Sequence, residues 1–267
     1  MDLRETIEAR RQPDGGFGPI PGAPSEPEPS AMVAIALDDP EATRWVESSR
    51  RTDGGVGIQA GGVFRDVTPV AVLAMRDPVA TTEAVQWVLS SQARSESSTP
   101  ALPHDPTLRG WAWTHDTFGW VEPTAWAVLA LRRHGETGGP LEDGIALLVD
   151  RECIGGGWNY GNRIVLDEVL PPYVQTTGLA LLALHGLNEP VVRRGSDWLE
   201  SRWPDEDRGL LSMAVATAAL RRFDSDRAEV AAASLRERLG SSEHSDTVAL
   251  AWAAIALGDG LAGLEVG

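Results

Sequence analysis

Six short segments rich in alanine and leucine recur along the chain, and they constrain its fold more than any other feature. The shortest repeat units are about 35 residues long, which is enough for two helices and two loops. The segments span residues 31–37, 69–75, 125–131, 178–184, 213–220 and 248–257. Because they carry very few polar side chains, we expect each to be a helix that is buried on nearly all sides.

A serine or threonine stands at or just before the start of every one of these segments. A hydroxyl at such a position can accept a hydrogen bond from an N–H group of the first helical turn, which otherwise has no partner. We therefore predict that these residues are N-caps. They are Ser30, Thr68, Thr124, Thr177, Ser212 and Thr247.

More polar segments alternate with the apolar ones and carry Trp45, Trp87 and Trp198 among Glu, Arg and Ser, as expected of helices with one wet face. They span residues 3–11, 41–50, 82–91, 142–151, 191–201 and 227–239. This pattern predicts six outer helices around six inner ones. Because the last inner segment is as apolar as the middle ones, we expect the array to close into a ring. No stretch alternates in polarity with a period of two, so we expect no sheet.

Several outer segments end in a glycine-rich turn that is followed by a large apolar residue. Glycine stops a helix by adopting the left-handed conformation, and the next side chain can then pack between neighbouring repeats as a staple. Phe17 and Trp158 are the expected staples of the first and fourth repeats. The third repeat reaches Trp111 only after a long insertion rich in Ser and Pro, residues 95–106.

These features together predict an all-α protein, a single α/α toroid or (α/α)6-like barrel of about six two-helix repeats and about twelve helices. The predicted domain covers residues 1–267. Its repeats are expected at roughly 1–38, 41–76, 82–134, 141–186, 190–222 and 227–259.

The composition narrows the class of partner. A net charge of −16 without clustered Lys or Arg argues against nucleic acid. No apolar stretch approaches the length of a membrane span, so we expect no stable membrane insertion. Cys153 is the single cysteine, which precludes an intrachain disulfide and favours a reducing compartment. Because the first residues also lack an apolar signal core, we predict an acidic, cytoplasmic protein.

Three segments of the sequence carry a resemblance to a known family. Residues 11–18 read Arg-Gln-Pro-Asp-Gly-Gly-Phe-Gly, residues 156–162 read Gly-Gly-Trp-Asn-Tyr-Gly-Asn, and residues 121–131 open with Val-Glu-Pro-Thr-Ala-Trp. They resemble the prenyltransferase and squalene-cyclase repeat of the terpenoid cyclase and protein prenyltransferase superfamily of α/α toroids. The resemblance covers essentially the whole chain, and it implies the toroid fold and a small hydrophobic, isoprenoid-like ligand.

Two catalytic motifs of that superfamily are altered in this chain. Class II terpene cyclases carry Asp-x-Asp-Asp just before an inner helix, where this chain reads Trp120-Val121-Glu122-Pro123. Glu122 keeps one acid but lacks the neighbouring carboxylates that would tune it. Protein prenyltransferases carry an Asp-x-Cys zinc pair at the corresponding place, where this chain has no thiol. We therefore expect no metal and no other cofactor.

The resemblance also implies parallel inner helices, whose N-termini gather at one mouth together with about half a positive charge per helix. There we nominate Glu122 as the catalytic acid, with Asp246, His244 and Tyr173 as helpers. Aromatic and polar side chains are the expected ligand contacts. The contacts are Asp66, Trp111, Trp113, Trp120, Trp158, Tyr160, Asn162, Arg163 and Gln175.

Several of these residues also have a purely structural interpretation. Glu122 followed by Pro123 suits an ordinary helix N-terminus, because an acid faces the positive end of the dipole and proline is tolerated in the first turn. Residues 243–246 can cap the helix at Thr247 instead of holding an acid–base pair.

Three functions remain open at this point. The first is a terpene-cyclase-like or prenyltransferase-like toroid that binds an isoprenoid ligand at the mouth, with cyclisation started by Glu122. The second is a non-catalytic binding or scaffold protein whose mouth receives a lipid, a peptide or a protein partner. The third is a carbohydrate-active (α/α)6 enzyme, for which Glu122 and Asp246 are the nominated carboxylate pair. An enclosed apolar cavity beside Glu122 favours the first, and a filled barrel axis favours the second.

Overall fold

The computed structural model describes residues 2–61, 63–97, 103–203, 209–240, 246–258 and 260–265. Within these ranges the chain forms twelve α-helices, which confirms the all-α prediction. They are α1 (Leu3–Glu8), α2 (Pro27–Leu37), α3 (Pro40–Ser48), α4 (Thr68–Ala74), α5 (Pro78–Ser90), α6 (Val121–Arg133), α7 (Gly139–Asp150), α8 (Val174–Leu184), α9 (Pro190–Arg202), α10 (Leu210–Arg222), α11 (Ala228–Gly240) and α12 (Thr247–Leu257).

The even-numbered helices form a closed inner ring. Each of them contacts the next even-numbered helix along the chain, and α12 contacts α2. The odd-numbered helices α3 to α11 each pack outside the inner helix that precedes them, while α1 packs on α12. Each inner helix is therefore covered by two inner neighbours and one outer helix, and its alanines, such as Ala127 and Ala180, are fully buried. Small side chains suit this layer because they let neighbouring backbones approach closely.

The predicted N-caps are wrong, because the inner helices begin before or at the hydroxyl residues. Trp120 and Tyr173 occupy the N-cap positions of α6 and α8, so Thr124 and Thr177 lie at the end of the first turn. In α2 and α6 the physical reason is proline. Pro29 and Pro123 fit inside the first helical turn, where no N–H is needed, and the turn therefore extends upstream of the hydroxyl. The first turn of α8 extends upstream of Thr177 without a proline.

The hydroxyls instead fasten the glycine-rich turns to the inner helices. In four repeats a Ser or Thr oxygen accepts a hydrogen bond from the backbone N–H of a buried apolar residue in the turn, at 2.8 to 2.9 Å. The same hydroxyl lies 3.2 to 3.4 Å from the carbonyl oxygen of that residue, as its donor. We call these the anchor hydroxyl and the staple residue. The pairs are Ser30 with Phe17, Thr68 with Val56, Thr124 with Trp111, and Thr177 with Trp158.

The staple residues pack inside the wall of the ring, as predicted for Phe17 and Trp158. The indole N–H of Trp158 donates to the carbonyl of Leu148 at 2.6 Å, and that of Trp111 donates to the carbonyl of Val88 at 2.7 Å. Each tryptophan is thereby tied to the outer helix that precedes its turn, while the anchor hydroxyl ties it to the inner helix that follows.

Two small antiparallel hairpins correct the prediction that the chain has no sheet. The first pairs β1 (Gly57–Ala60) with β2 (Val63–Asp66), and the second pairs β3 (Ile164–Val165) with β4 (Glu168–Val169). Strands of two to four residues are too short to show a period of two in the sequence. Both hairpins lie in loops that lead into inner helices.

Residues 260–265 lie against the end of the inner ring where the inner helices terminate. A 3-10 helix (Gly260–Leu264) contacts α2, α4 and α12. From α6, Arg133 donates to the carbonyls of Ala262 and Glu265 at 2.9 and 3.2 Å. From α10, Arg222 forms an ion pair with the Glu265 carboxylate at 3.0 Å. This segment therefore spans the end of the ring where the inner helices terminate.

Among the described residues, no helix is both long enough and apolar enough to span a membrane.

Candidate functional site

The N-termini of the inner helices gather at one end of the ring, and contacts between the segments that precede them show this. Glu28 in the first turn of α2 forms an ion pair with Arg65 in β2, just before α4, at 2.8 Å. The N–H of Val121 donates to the carbonyl of Tyr160, in the loop that leads to α8, at 2.9 Å. The N–H of Thr247 donates to the carbonyl of Pro19, before α2, at 2.8 Å. We call this end, bordered by Glu28, Arg65, Glu122, Tyr173 and Gln175, the N-terminal mouth.

A pair of tryptophans fills the ring axis one turn below the N-terminal mouth. Trp126 of α6 and Trp252 of α12 come from opposite sides of the ring, and their ring centroids lie 5.6 Å apart. Their exposed fractions are 4% and 3%. Because Glu122 precedes Trp126 by four residues on α6, the two side chains lie on the same face of the helix. The Trp126–Trp252 pair thus forms an aromatic floor beneath the carboxyl group of Glu122.

Glu122 has an unusual acidity for a carboxyl group. Burial and, to a smaller extent, the negative charge of Glu28 raise its pKa from an ordinary 4.5 to about 7, against the opposing positive charge of Arg65. Desolvation disfavours the charged form of any acid, so a partly buried carboxyl keeps its proton to higher pH. Glu122 therefore has a neutral form near neutral pH that can donate a proton or a hydrogen bond.

Arg65 is the cation nearest to this carboxyl among the groups that shift its pKa. Its guanidinium pairs with Glu28 and also lies over the ring of Trp113, 5.2 Å from the centroid. Trp113 is partly buried, and its carbonyl accepts a hydrogen bond from the N–H of Asp66 at 2.8 Å. The predicted ligand contact Trp113 therefore lies beside the N-terminal mouth, next to a fixed positive charge.

Two tyrosines form an exposed rim above α6 and α8. The rings of Tyr160 and Tyr173 lie 5.1 Å apart, and both side chains are substantially exposed. Tyr173 is the N-cap residue of α8, and Gln175 follows it in the first turn, partly buried. The structure thus brings Glu122, Tyr160, Tyr173 and Gln175 to the same end of the ring, as the sequence predicted.

Three predicted ligand contacts lie elsewhere. Trp111 and Trp158 are staple residues, buried inside the wall of the ring and away from any opening. Asp66 is buried, and both of its carboxylate oxygens are occupied. One accepts from the N–H and hydroxyl of Thr68, and the other accepts from the indole of Trp87 at 2.8 Å. Asp66 therefore joins β2, α4 and α5 as a buried structural carboxylate.

Asp246 and His244, which precede α12, are the nominated helpers of the catalytic acid. Asp246 is exposed, and its carboxylate accepts a hydrogen bond from the N–H of Ala249 at 2.7 Å, so it is the N-cap of α12. This is the structural role that the sequence also allowed. His244 lies outside the described residues.

The remaining predicted contacts border a separate cavity beside the ring. Trp120 and Asn162 line it, and Arg163 lies next to it with a hydrogen bond to the carbonyl of Pro103 at 2.9 Å. This cavity lies between the insertion of the third repeat and the loops before α6 and β3.

The sequence analysis missed the residues that complete the N-terminal mouth. The sequence contains a signal for Glu28, because this residue occupies the same place in α2 that Glu122 occupies in α6, two residues before the anchor hydroxyl. Arg65 is the ion-pair partner of Glu28. Trp126 and Trp252 carry a weaker signal. The inner helices are apolar on all sides, so their sequence does not reveal which face meets the ring axis.

Fold and site together define an all-helical ring with acidic and aromatic side chains at the end where the inner helices begin. Comparison with known proteins finds a partial relative. The chain is 33% identical over 170 residues to drimenyl diphosphate synthase from Streptomyces showdoensis. The match covers 56% of this chain and 30% of that enzyme, so the chain spans less than a third of its relative. No protein-family model matches the chain. The chain is therefore a distant, partial homologue of a terpene synthase.

Proposed function

We propose that this protein binds an isoprenoid ligand at the N-terminal mouth and that Glu122 supplies the proton for an acid-initiated cyclisation. One observation carries the proposal. A carboxyl group whose pKa is raised to about 7 stands at the N-terminal mouth, one helical turn above the Trp126–Trp252 pair. The partial homology to an enzyme named for a terpenoid diphosphate supports the ligand class.

The proposed reaction moves one proton onto the ligand and releases one. The carboxyl proton of Glu122 adds to a carbon of the terminal double bond, and the cation that forms is attacked by an internal double bond of the same chain. Loss of a proton from the cyclised cation then gives an isomer of the substrate, with its other substituents intact. The faces of Trp126 and Trp252 stabilise the positive charge, because an aromatic ring carries negative charge density on its face.

The aromatic floor has to contribute, because Glu122 alone is a weak acid for an alkene. A pKa near 7 keeps the proton available at neutral pH, but it also lowers the driving force for transfer to carbon. A ring face near a desolvated cation contributes about 2 kcal/mol or more, and two rings lie below the carboxyl group.

The proposal is tested by incubating the protein with geranyl, farnesyl and geranylgeranyl diphosphate, with binding measured by calorimetry and products by gas chromatography and mass spectrometry. We expect a cyclised isomer from one of these substrates. We expect Glu122→Gln to bind that substrate with similar affinity and to lose turnover by at least a hundredfold. Glu142→Gln, at an exposed acid in the first turn of α7, is the matched control and should retain turnover.

Binding without turnover is the second candidate, and the filled ring axis favours it. The contact between Trp126 and Trp252 leaves the ligand only the space above them, so the mouth is suited to hold one end of an apolar chain. In that case the wild-type protein and Glu122→Gln bind the same prenyl diphosphate and neither forms a product. If none of the three compounds binds, both candidates are rejected.

The carbohydrate-active alternative finds less support. Its second carboxylate, Asp246, is already engaged as the N-cap of α12. A glycosidase needs two carboxyl groups that are free to act on the same bond.

A further inference from the structure

A second cavity lies outside the ring, next to the loop that leads into α6. Its volume is about 220 Å³. At about 30 Å³ for each molecule of liquid water, this is the space of roughly seven waters. Its walls include Arg94, His104, Phe118, Trp120, Arg151 and Asn162.

The walls of this cavity are held by backbone hydrogen bonds. The N–H of Arg94 donates to the carbonyl of Thr117 at 3.1 Å, and the N–H of Glu96 donates to the carbonyl of Pro106 at 2.9 Å. Two further bonds fix the segment that carries His104. Arg163 donates to the carbonyl of Pro103 at 2.9 Å, and Arg151 donates to the carbonyl of Asp105 at 3.3 and 3.4 Å. These bonds fix residues 94, 96, 103 and 105 around the cavity.

Two buried nitrogen atoms on these walls have no hydrogen-bond partner within the protein. They are Nε of Arg151 and Nδ1 of His104. Arg151 is only 5% exposed, and its terminal nitrogens are already engaged by the Asp150 carboxylate and the Asp105 carbonyl. A buried donor without an acceptor costs about 1 to 3 kcal/mol. A bound acceptor atom at this position would recover that free energy.

The cavity also offers flat apolar surface and a positive charge. Phe118 and Trp120 are 53% and 44% exposed, although side chains of this size are usually covered. The charged side chains on the walls are Arg94, Arg151 and Glu96, and Arg151 is already ion-paired with Asp150, so Arg94 supplies the positive charge for a ligand anion. Burial and the nearby charge of Arg151 lower the pKa of His104, so the imidazole is neutral at pH 7 and adds no charge.

We propose that this cavity is a binding site for a small aromatic carboxylate, separate from the N-terminal mouth. One carboxylate oxygen accepts the hydrogen bond from Nε of Arg151, and the ring packs on Trp120 and Phe118. The other oxygen faces Arg94, and Nδ1 of His104 bonds a polar substituent. The volume is sufficient for one ring with short substituents.

Fluorine NMR with 4-fluorobenzoate tests this site, with uncharged 4-fluorobenzamide as the matched probe. We expect the 4-fluorobenzoate resonance to broaden and shift with protein concentration at a millimolar or lower Kd, and we expect the amide to bind at least tenfold more weakly. Phe118→Ser removes apolar wall at an exposed position, and Arg151→Lys keeps the cation but removes Nε. Both variants should raise the Kd for 4-fluorobenzoate at least tenfold.

Two control variants separate this proposal from general effects and from the proposed function. Arg44→Gln changes an exposed arginine on α3 and should leave the Kd unchanged. Glu122→Gln should also leave it unchanged, because Glu122 belongs to the N-terminal mouth. The proposal is overturned if 4-fluorobenzoate does not bind, if the amide binds equally well, or if Phe118→Ser binds as the wild-type protein does. Should Arg151→Lys fail to fold, the Phe118→Ser result decides.

Discussion

Glu122 combines two properties that rarely occur together, a position in the first turn of a helix and a pKa near 7. The positive end of α6 favours the carboxylate, whereas burial among the inner helices favours the neutral acid. The charge of Glu28 works in the same direction as burial. A buried acid with a raised pKa lowers the free energy of unfolding at any pH at which the same group is ionised in the unfolded chain. The acidity of Glu122 can therefore be tested without a substrate.

We predict that Glu122→Gln stabilises the protein at pH 8 by about 3 to 4 kcal/mol and changes stability little at pH 4. In the unfolded chain the carboxyl loses its proton near pH 4.3, whereas in the folded protein it keeps the proton up to about pH 7. The free energy of unfolding therefore falls as pH rises between these values, and the full penalty remains above pH 7. Glutamine has no proton to lose and avoids it.

Urea unfolding followed by circular dichroism, at intervals between pH 4 and pH 8, measures this difference. Glu142→Gln at the exposed start of α7 provides the control and should show no comparable pH dependence. Parallel stability curves for wild type and Glu122→Gln across this range would mean that the carboxyl group is not desolvated.

The anchor hydroxyls make a second prediction at this scale. Thr177→Val keeps the shape of the side chain but leaves the buried N–H of Trp158 without an acceptor, so we expect a loss of about 1 to 3 kcal/mol in the free energy of unfolding. Thr217→Val is the matched control. Its hydroxyl is equally buried but only donates to the carbonyl of Met213 within α10, so its removal strands no N–H group. Equal losses for the two variants would contradict the anchor role of Thr177.

Sequence reasoning placed Glu122, Tyr173 and Gln175 at the N-terminal mouth and missed Glu28 and Arg65. It also nominated Trp111 and Trp158 as ligand contacts, although it recognised Trp158 as a staple as well. Trp111, Trp120 and Trp158 look alike in the sequence, since each lies in a loop before an inner helix. What separates them is whether an anchor hydroxyl holds the residue, as it holds Trp111 and Trp158. That contact depends on where the following helix begins, which the sequence analysis placed too late in α6 and α8.

At the scale of elements, a large staple side chain is matched by a small residue on an outer helix. Where the staple is tryptophan, the outer helix offers glycine. A Cβ atom on Gly144 would lie 2.7 Å from the ring of Trp111, and one on Gly195 would lie 2.5 Å from the ring of Trp158. In the first two repeats the staples are the smaller Phe17 and Val56, and the corresponding positions in α3 and α5 are alanines, Ala42 and Ala84. In α3, α5 and α9 this small residue stands three positions before Trp45, Trp87 and Trp198.

We predict that Gly195→Ala destabilises the protein by about 1 to 3 kcal/mol through overpacking against Trp158. Intrinsic helix propensity predicts the opposite, because alanine favours a helix over glycine by about 1 kcal/mol. Chemical denaturation decides between them. In the double variant with Trp158→Phe the smaller ring should accept the extra methyl group, so the two changes should be non-additive by at least about 0.5 kcal/mol. Additive losses would show that Gly195 and Trp158 do not share this contact.

Among the elements, the twelve helices could be predicted because the inner and outer segments differ so clearly in polarity. The β1–β2 hairpin carries a signal that the sequence analysis overlooked, because Gly61 and the glycine after it separate its two strands of four residues in the sequence, and paired glycines favour a tight hairpin turn. The shorter hairpin carries none: its strands have two residues each, with positive φ at Leu166 and Asp167 in the turn. Neither residue is glycine, so the usual signal of a tight hairpin turn is absent.

At the scale of the whole molecule, the contact between α2 and α12 distinguishes a ring from an open array. In an open array, stability arises from contacts between neighbouring repeats, so the terminal repeats open first. Here the first and last inner helices each have two inner neighbours, like α6 in the middle of the chain. The sequence suggested closure because residues 248–257 lack a polar face, but it could not identify Trp126 and Trp252 as the residues that meet at the centre.

We predict that hydrogen exchange protects the amides of α2 and α12 to within about tenfold of those of α6 and α8, by the same global opening. Peptide-resolved exchange measured by mass spectrometry reports this directly. The outer helix α11, which packs on the inner ring from one side, is the internal reference for faster exchange. A steady decline in protection from the middle of the chain to its two ends would indicate an open array.

The segment of residues 260–265 covers part of the inner ring at the end where the inner helices terminate. It touches α2, α4 and α12 and is joined to α6 and α10 by two arginines. Under the proposed function, a ligand held above Trp126 and Trp252 would therefore enter and leave at the same end of the ring. Product release would then be a step able to limit the turnover rate.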